Sequence, residues 1–204
     1  METVFFDIDT QVDFVDPNGA LYVPGSKEIA PNIRRLLEYA GEHRITTISP
    51  MCAHVVNDSE FQQFAPHCVE GSPGQRRYFD ELPALRRHVW EPEATVGKGD
   101  LEIVRGDHYV VKKRSFPMLS NPWVKALAER GRFRGMDAVA FGVATDVCVR
   151  VDVLDLCHAG AHVRLVRDAI AAIRADDSER ALREMIGAGA RLVTTDEIVG
   201  DGRR

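Results

Sequence analysis

The sequence predicts an α/β protein: a three-layer sandwich with a mostly parallel sheet of about six strands and helices on both faces. Three observations predict it. Short apolar or β-branched runs alternate with segments of helical period, and repeated β-α-β units imply parallel strands covered on both sides. The 204 residues, 45% of them hydrophobic, suffice for a sizeable core. Polar residues gather at the ends of apolar runs, where such sheets bind their ligands.

The elements follow in order. Residues 4–8 form an apolar run that ends in acids. Residues 26–39 have helical period through Ile29, Ile33, Leu36 and Leu37, with Ser26 as the expected N-cap. Residues 45–48 are β-branched and short, hence a strand. Residues 52–99 are irregular and rich in Pro, Gly, His and charge. A plain loop of that length is uncommon, so a local insertion near the site is expected within a single domain spanning 1–204. Residues 109–111 read as strand. Asn121-Pro122 opens a helix, with proline at its favoured first position. Strand 136–141, helix 145–159, strand 162–166, helix 176–187 and strand 191–193 complete the pattern. Gly160 and Gly189 are expected helix stops, and Asp176 and Asp177 an acidic helix start.

A net charge of −5 argues against nucleic acid or an anionic membrane as partner. No apolar run is long enough to span a bilayer. The early strand and the lack of a basic flank predict a cytoplasmic protein without a leader. Cys52, Cys68, Cys148 and Cys157 are then expected to be reduced.

Three strand ends carry chemistry-bearing residues. Cys148, in Gly142-Val143-Ala144-Thr145-Asp146-Val147-Cys148-Val149, lies in the first turn of the helix expected from 145. There the free N–H groups and the dipole favour a thiolate. The plainer reading is a small core residue. Asp9 follows the first strand and reads either as an acid at a ligand site or as a turn former, the role expected of Asp13 and Asp16 before Pro17-Asn18-Gly19. Lys112 and Lys113 end a strand, either as a site cation or as part of a solvated basic patch. His43, His88, His108, His158 and His162 lack ligand spacing and are expected at the surface.

Taken together, these segments resemble the isochorismatase-like cysteine hydrolases, the group that includes nicotinamidase, on a Rossmann-like sheet. Asp9-Thr10-Gln11-Val12-Asp13-Phe14 is similar to the family's D-x-Q-x-D-F, Lys113 to its lysine, and 142–149 to its nucleophile turn. The resemblance implies catalysis by Asp9, Lys113 and Cys148. Asp9 would move the proton, and Lys113 would lower the thiol pKa and hold the carboxylate. The N–H groups of Ala144 and Cys148 would form an oxyanion hole after a cis Val143–Ala144 peptide. Alternation along the strand and the spacing to Phe116 favour Lys113 over Lys112. Gln11, Phe14, Leu21 and Phe116 are expected to contact substrate. The implied substrate is a small-molecule amide, nicotinamide-like, carbamoyl or ureido, cleaved with release of ammonia. The implied assembly is a homodimer or homotetramer.

Nicotinamidases carry an Asp-x-His pair and a later histidine on a divalent ion. Here Cys52-Ala53-His54 and His67 stand at those places. Cys, His and His are zinc ligands by type, with Glu60 a fourth on spacing. Loss of the metal is the open alternative, and these would then be ordinary loop residues.

Two further readings compete. Asp7 and Asp9 resemble the Asp-x-Asp opening of haloacid-dehalogenase-type Mg²⁺ phosphatases, with Ile198-Val199-Gly200-Asp201-Gly202 as a late acidic turn. Alternatively, the chain is a non-catalytic binding protein on the same fold.

Overall fold

The computed structural model describes residues 2–80 and 86–200. Its strands are β1 (Thr3–Ile8), β2 (Thr46–Cys52), β3 (Arg87–Trp90), β4 (His108–Lys113), β5 (Asp137–Val143), β6 (His162–Ala171) and β7 (Arg191–Val193). They form a seven-stranded sheet in the order β3-β4-β2-β1-β5-β6-β7, with every pairing parallel. The expected strand count was one too low. The missed strand, β3, is a short edge strand of half-exposed residues with no apolar run to mark it. β2 also runs four residues past the expected end, because Pro50 breaks the strand signal yet sits inside the strand.

The helices are α1 (Val12–Val15), α2 (Ser26–Glu42), α3 (Pro122–Glu129), α4 (Cys148–His158), α5 (Ala175–Gly187) and α6 (Thr195–Val199). Two apolar clusters flank the sheet. One joins Phe6, Ile8 and Val111 to Trp123, Leu127, Val149 and Val153. The other joins Phe5, Val139 and Phe141 to Ile33, Leu36 and Val166. This is the three-layer arrangement expected. Among the described residues no helix is long and apolar enough to cross a membrane, and all four cysteines are free.

Two helices start differently from expectation. Ser26 is the first helical residue of α2; Gly25, left-handed at φ +82°, is its N-cap. The Ser26 hydroxyl instead donates to the Phe14 carbonyl. α4 starts three residues later than expected. Its N-cap is Val147, with no side-chain cap, and Thr145 is bound through its own N–H to the Ala171 carbonyl. Asn121 does cap α3, accepting from the Trp123 N–H.

Strand order reverses across β1: β2 lies on one side of it and β5 on the other. Ligands bind beyond the carboxyl ends at such a switch point. Gly142 sets the spacing there. Its φ is +118°, and a Cβ at this position would lie 2.0 Å from the Ile8 carbonyl oxygen, so no side chain fits between β5 and β1.

One sheet face also buries a polar ring. Strand register and alternation put Asp7, Ser49 and His108 on the same face. Arg77 donates to Asp7 Oδ2 (2.8 Å) and to His108 Nδ1 (3.4 Å). His108 Nε2 donates to Ser49 Oγ (2.9 Å), and Ser49 donates to Asp7 Oδ2 (3.3 Å). Thr10 Oγ1 donates to Asp7 Oδ1 (2.5 Å). The expectation that His108 lies at the surface is thus corrected: it is buried. Burial, with Arg77 and Arg87 nearby, pushes its pKa down to about 2. It therefore stays neutral and can accept from Arg77. His88 is half-buried and pairs with Asp107 at 2.7 Å.

Candidate active site

Asp9 is the first residue beyond β1. Its backbone is left-handed at φ +48°, and its N–H donates to the Pro50 carbonyl at 3.0 Å. Lys113 ends β4 in register with Cys52 at the end of β2. Cys148 is the first residue of α4. Lys113 is 0% exposed, and its ammonium reaches three partners: Asp9 Oδ2 at 2.9 Å, Cys52 Sγ at 3.5 Å and Cys148 Sγ at 3.6 Å. An ammonium has three N–H donors, so this set uses all of them. Lys112 points the other way, to Glu91 at 2.8 Å and Glu70 at 3.4 Å near the surface, as strand alternation requires.

Burial opposes the charge on Lys113, but Asp9, Cys148 and Cys52 outweigh it and hold the ammonium well above the ordinary lysine range. The thiol of Cys148 departs from expectation. A hydrogen bond with Cys52, then burial and then Asp9, hold it well above the ordinary thiol range, against the pull of Lys113. These surroundings oppose the thiolate that the helix start favours. At Cys52 the bond with Cys148 favours the thiolate, yet burial and Asp9 prevail and raise that thiol too. Cys52 Sγ donates weakly to Asp9 Oδ1 at 3.8 Å.

The Val143–Ala144 peptide is cis. Among the described residues neither the Ala144 nor the Cys148 N–H finds a hydrogen-bond acceptor. Both residues line a pocket at this end of the sheet. Phe14, Leu21 and Phe116 line it, and so do Phe64, Val147 and Ile173, which sequence reasoning missed. Ile173 was hidden because β6 runs to Ala171 rather than to residue 166.

Gln11 does not line the pocket, and its expected contact with substrate is corrected. It is fully buried. Its Nε2 donates to the Cys52 and Gln75 carbonyls, and its Oε1 accepts from the Cys52 N–H. It clamps the turn after β1 to the end of β2. Asp13 is likewise more than a turn former, accepting from the Cys68 and Ala20 N–H groups at 2.7 and 3.0 Å. Asp7 lies inside the polar ring, where Arg77, Ser49 and Thr10 occupy its oxygens. It cannot serve a phosphoryl group there, which removes the Asp-x-Asp phosphatase reading. Asp201 and Gly202, the late turn of that reading, lie outside the described residues.

Cys52, His54 and His67 offer ligand atoms within 4.8 Å of one another, all buried. His54 Nδ1 lies 3.0 Å from Asp58 Oδ2, and His67 Nδ1 lies 2.8 Å from the Ala65 carbonyl. An acceptor at each Nδ1 leaves Nε2 as the atom of each ring free to meet a metal, the outer-sphere arrangement of metal-binding histidines. His54 Nε2 is buried without a hydrogen-bond partner among the described residues. Glu60 Oε1 lies 3.8 Å from His54 Nε2 and 3.6 Å from His67 Nε2. The donor set fits a divalent ion of zinc type. Asp58, four residues after His54, is the signal that could have revealed this second sphere.

A buried carboxylate, ammonium and thiol at the switch point of a parallel sheet, opening on an apolar pocket, define the class: a hydrolytic enzyme of α/β type. The chain belongs to the isochorismatase family; the isochorismatase domain model matches residues 3–197. The nicotinamidase/pyrazinamidase of Mycobacterium tuberculosis is 31% identical over 195 residues, covering 91% of this chain and 95% of that protein. The nicotinamidase of Escherichia coli is 27% identical over 205 residues, covering 92% of each. Among solved structures, the pyrazinamidase of Pyrococcus horikoshii in complex with zinc aligns with TM-score 0.74 at 27% identity, over 95% of this chain and 99% of that one. With such relatives along its length, the chain is an amidohydrolase.

Proposed function

We propose that the protein hydrolyses the carboxamide of a small, uncharged, planar amide of nicotinamide type through a thioester on Cys148. The observation that carries this reading is one ammonium, Lys113, in contact with both Asp9 and Cys148 beside two unpartnered N–H groups. Asp9 takes the Cys148 proton as Sγ attacks the amide carbon. The Ala144 and Cys148 N–H groups receive the charge that develops on oxygen. Asp9 then passes the proton to the leaving nitrogen, the C–N bond breaks, and ammonia departs. Next, Asp9 takes a proton from water, hydroxide attacks the thioester, and the acid leaves as Cys148 regains its proton. Lys113 keeps the carboxylate and the sulfur on one centre throughout.

The pocket argues for a neutral substrate. Its walls are mostly apolar, and its acids are Asp9 and Glu60; no lysine or arginine lines it among the described residues. A maleamate-type or carbamoyl amino-acid substrate would bring a carboxylate that no lysine or arginine of the pocket wall is there to meet. Cys52, His54 and His67 would hold zinc, with Glu60 nearby. The ion would supply a Lewis-acid contact for a ring nitrogen.

Ammonia release from nicotinamide, pyrazinamide, maleamate and a carbamoyl amino acid tests the reading. The expected result is turnover of the two aromatic amides and an acyl adduct on Cys148 after acid quench. Preferential turnover of the carboxylate-bearing amides would overturn the substrate class. Turnover without any Cys148 adduct, in a quench fast enough to trap one, would overturn the thioester.

A further inference from the structure

We propose that Asp7 and Thr10 are positioning residues for Asp9, held in place by Arg77; the proposal rests on the amidase reading above. Asp9 has a left-handed backbone at φ +48°. A non-glycine residue stays in that region only when its surroundings over-determine it. Two of those fixings lie on Asp9 itself: its N–H donates to the Pro50 carbonyl, and its carbonyl accepts from the Gln11 N–H. The others converge on the next residue. The Thr10 hydroxyl donates to Asp7 Oδ1 at 2.5 Å, and the Thr10 carbonyl accepts from the Tyr78 N–H at 2.9 Å. Thr10 does not line the pocket, so its side chain has no substrate to contact.

Asp7 in turn is locked. The ring Asp7–Arg77–His108–Ser49 closes on itself with consistent donor directions, since a neutral His108 accepts at Nδ1 and donates at Nε2. Asp7, Ser49 and His108 come from β1, β2 and β4, the strands whose ends carry Asp9, Cys52 and Lys113. Arg77 belongs to the segment that also bears Glu60, Phe64 and His67. The ring therefore fastens the pocket wall and the base to one rigid frame, on the sheet face opposite Cys52 and Lys113. A buried ion pair is weak evidence for stability, because apolar side chains of similar size often serve as well. Its registry with the three strand ends is what the positioning role explains.

Thr10→Val removes one hydroxyl and keeps the shape, while Thr10→Ser keeps the hydroxyl. The expected result is a fall in kcat of at least about tenfold in Thr10→Val, with KM for nicotinamide within about twofold, as small misplacement of a catalytic group predicts. Thr10→Ser restores kcat. Iodoacetamide alkylation of Cys148 at fixed pH should slow in Thr10→Val and recover in Thr10→Ser. Alkylation needs no substrate, so it tests the positioning separately from the choice of amide. If Thr10→Val does not fold, Ser49→Ala, one bond further from Asp9, is expected to lower kcat about threefold at unchanged KM. Unchanged kcat and alkylation in a folded variant, with only its melting temperature lowered, would overturn the proposal.

Discussion

Two polar clusters are buried around the same three strands, on opposite faces, and they differ in one respect. The Asp7–Arg77–Ser49–His108 ring closes its side-chain hydrogen bonds on itself, leaving only Arg77 Nε without a partner. The Asp9–Lys113–Cys52–Cys148 cluster abuts groups with capacity to spare: the Ala144 and Cys148 N–H groups and His54 Nε2. Buried polar groups normally find partners. A ring with almost none to spare holds shape, whereas unused donors beside a pocket await a ligand.

The comparison can be broken at four points, from the largest expected effect down. Cys148→Ala should abolish ammonia release, by about 10⁴-fold or more, while its thermal midpoint stays near that of the parent, because the closed ring is untouched. Asp9→Asn should lower kcat by about 10²–10⁴-fold, the range of a lost proton-transfer group; steady-state kinetics on nicotinamide check it. Cys52→Ser should weaken zinc binding by about 100-fold or more, since loss of an outer partner alone costs about 10–100-fold. Zinc competition against a chromogenic chelator measures this, and unchanged affinity would remove Cys52 from the ligand set.

The smallest effect belongs to the closed ring. The folded protein holds His108 near a pKa of about 2, far below the ordinary value. Between those values the unfolded chain binds a proton that the folded chain refuses. Stability from this residue is therefore complete above the ordinary histidine pKa and falls with acidification. From pH 7 to pH 5 the loss should be about 2 kcal/mol. Urea unfolding at the two pH values reads it, and His108→Gln should remove that part of the pH dependence.

Much of this was legible in the sequence because it lies on local patterns. The strand ends with Asp9 and Lys113, the helix after β5 and the helix opened by Asn121-Pro122 follow from period and residue type. What was not legible depends on partners far along the chain. His108 looked like a surface histidine because Arg77 and Ser49 lie 31 and 59 residues away. Gln11 looked like a substrate contact because its backbone partners sit on β2 and at Gln75. Edge strand β3 had no apolar run to announce it. The thiol pKa ran opposite to the helix-dipole expectation because Cys52, a residue of β2, bonds to Cys148 and raises it.

The contact at Gly142 separates two kinds of position. The pocket walls at Phe64, Phe116 and Ile173 are side chains, so an engineer can trade them to admit other amides. The gap between β1 and β5, which lead into Asp9 and the turn before Cys148, is backbone against backbone, with the Ile8 oxygen where any Cβ would go. Substrate choice in this molecule is therefore open to revision, while the reach from Asp9 to Cys148 is fixed by an atom that is not there.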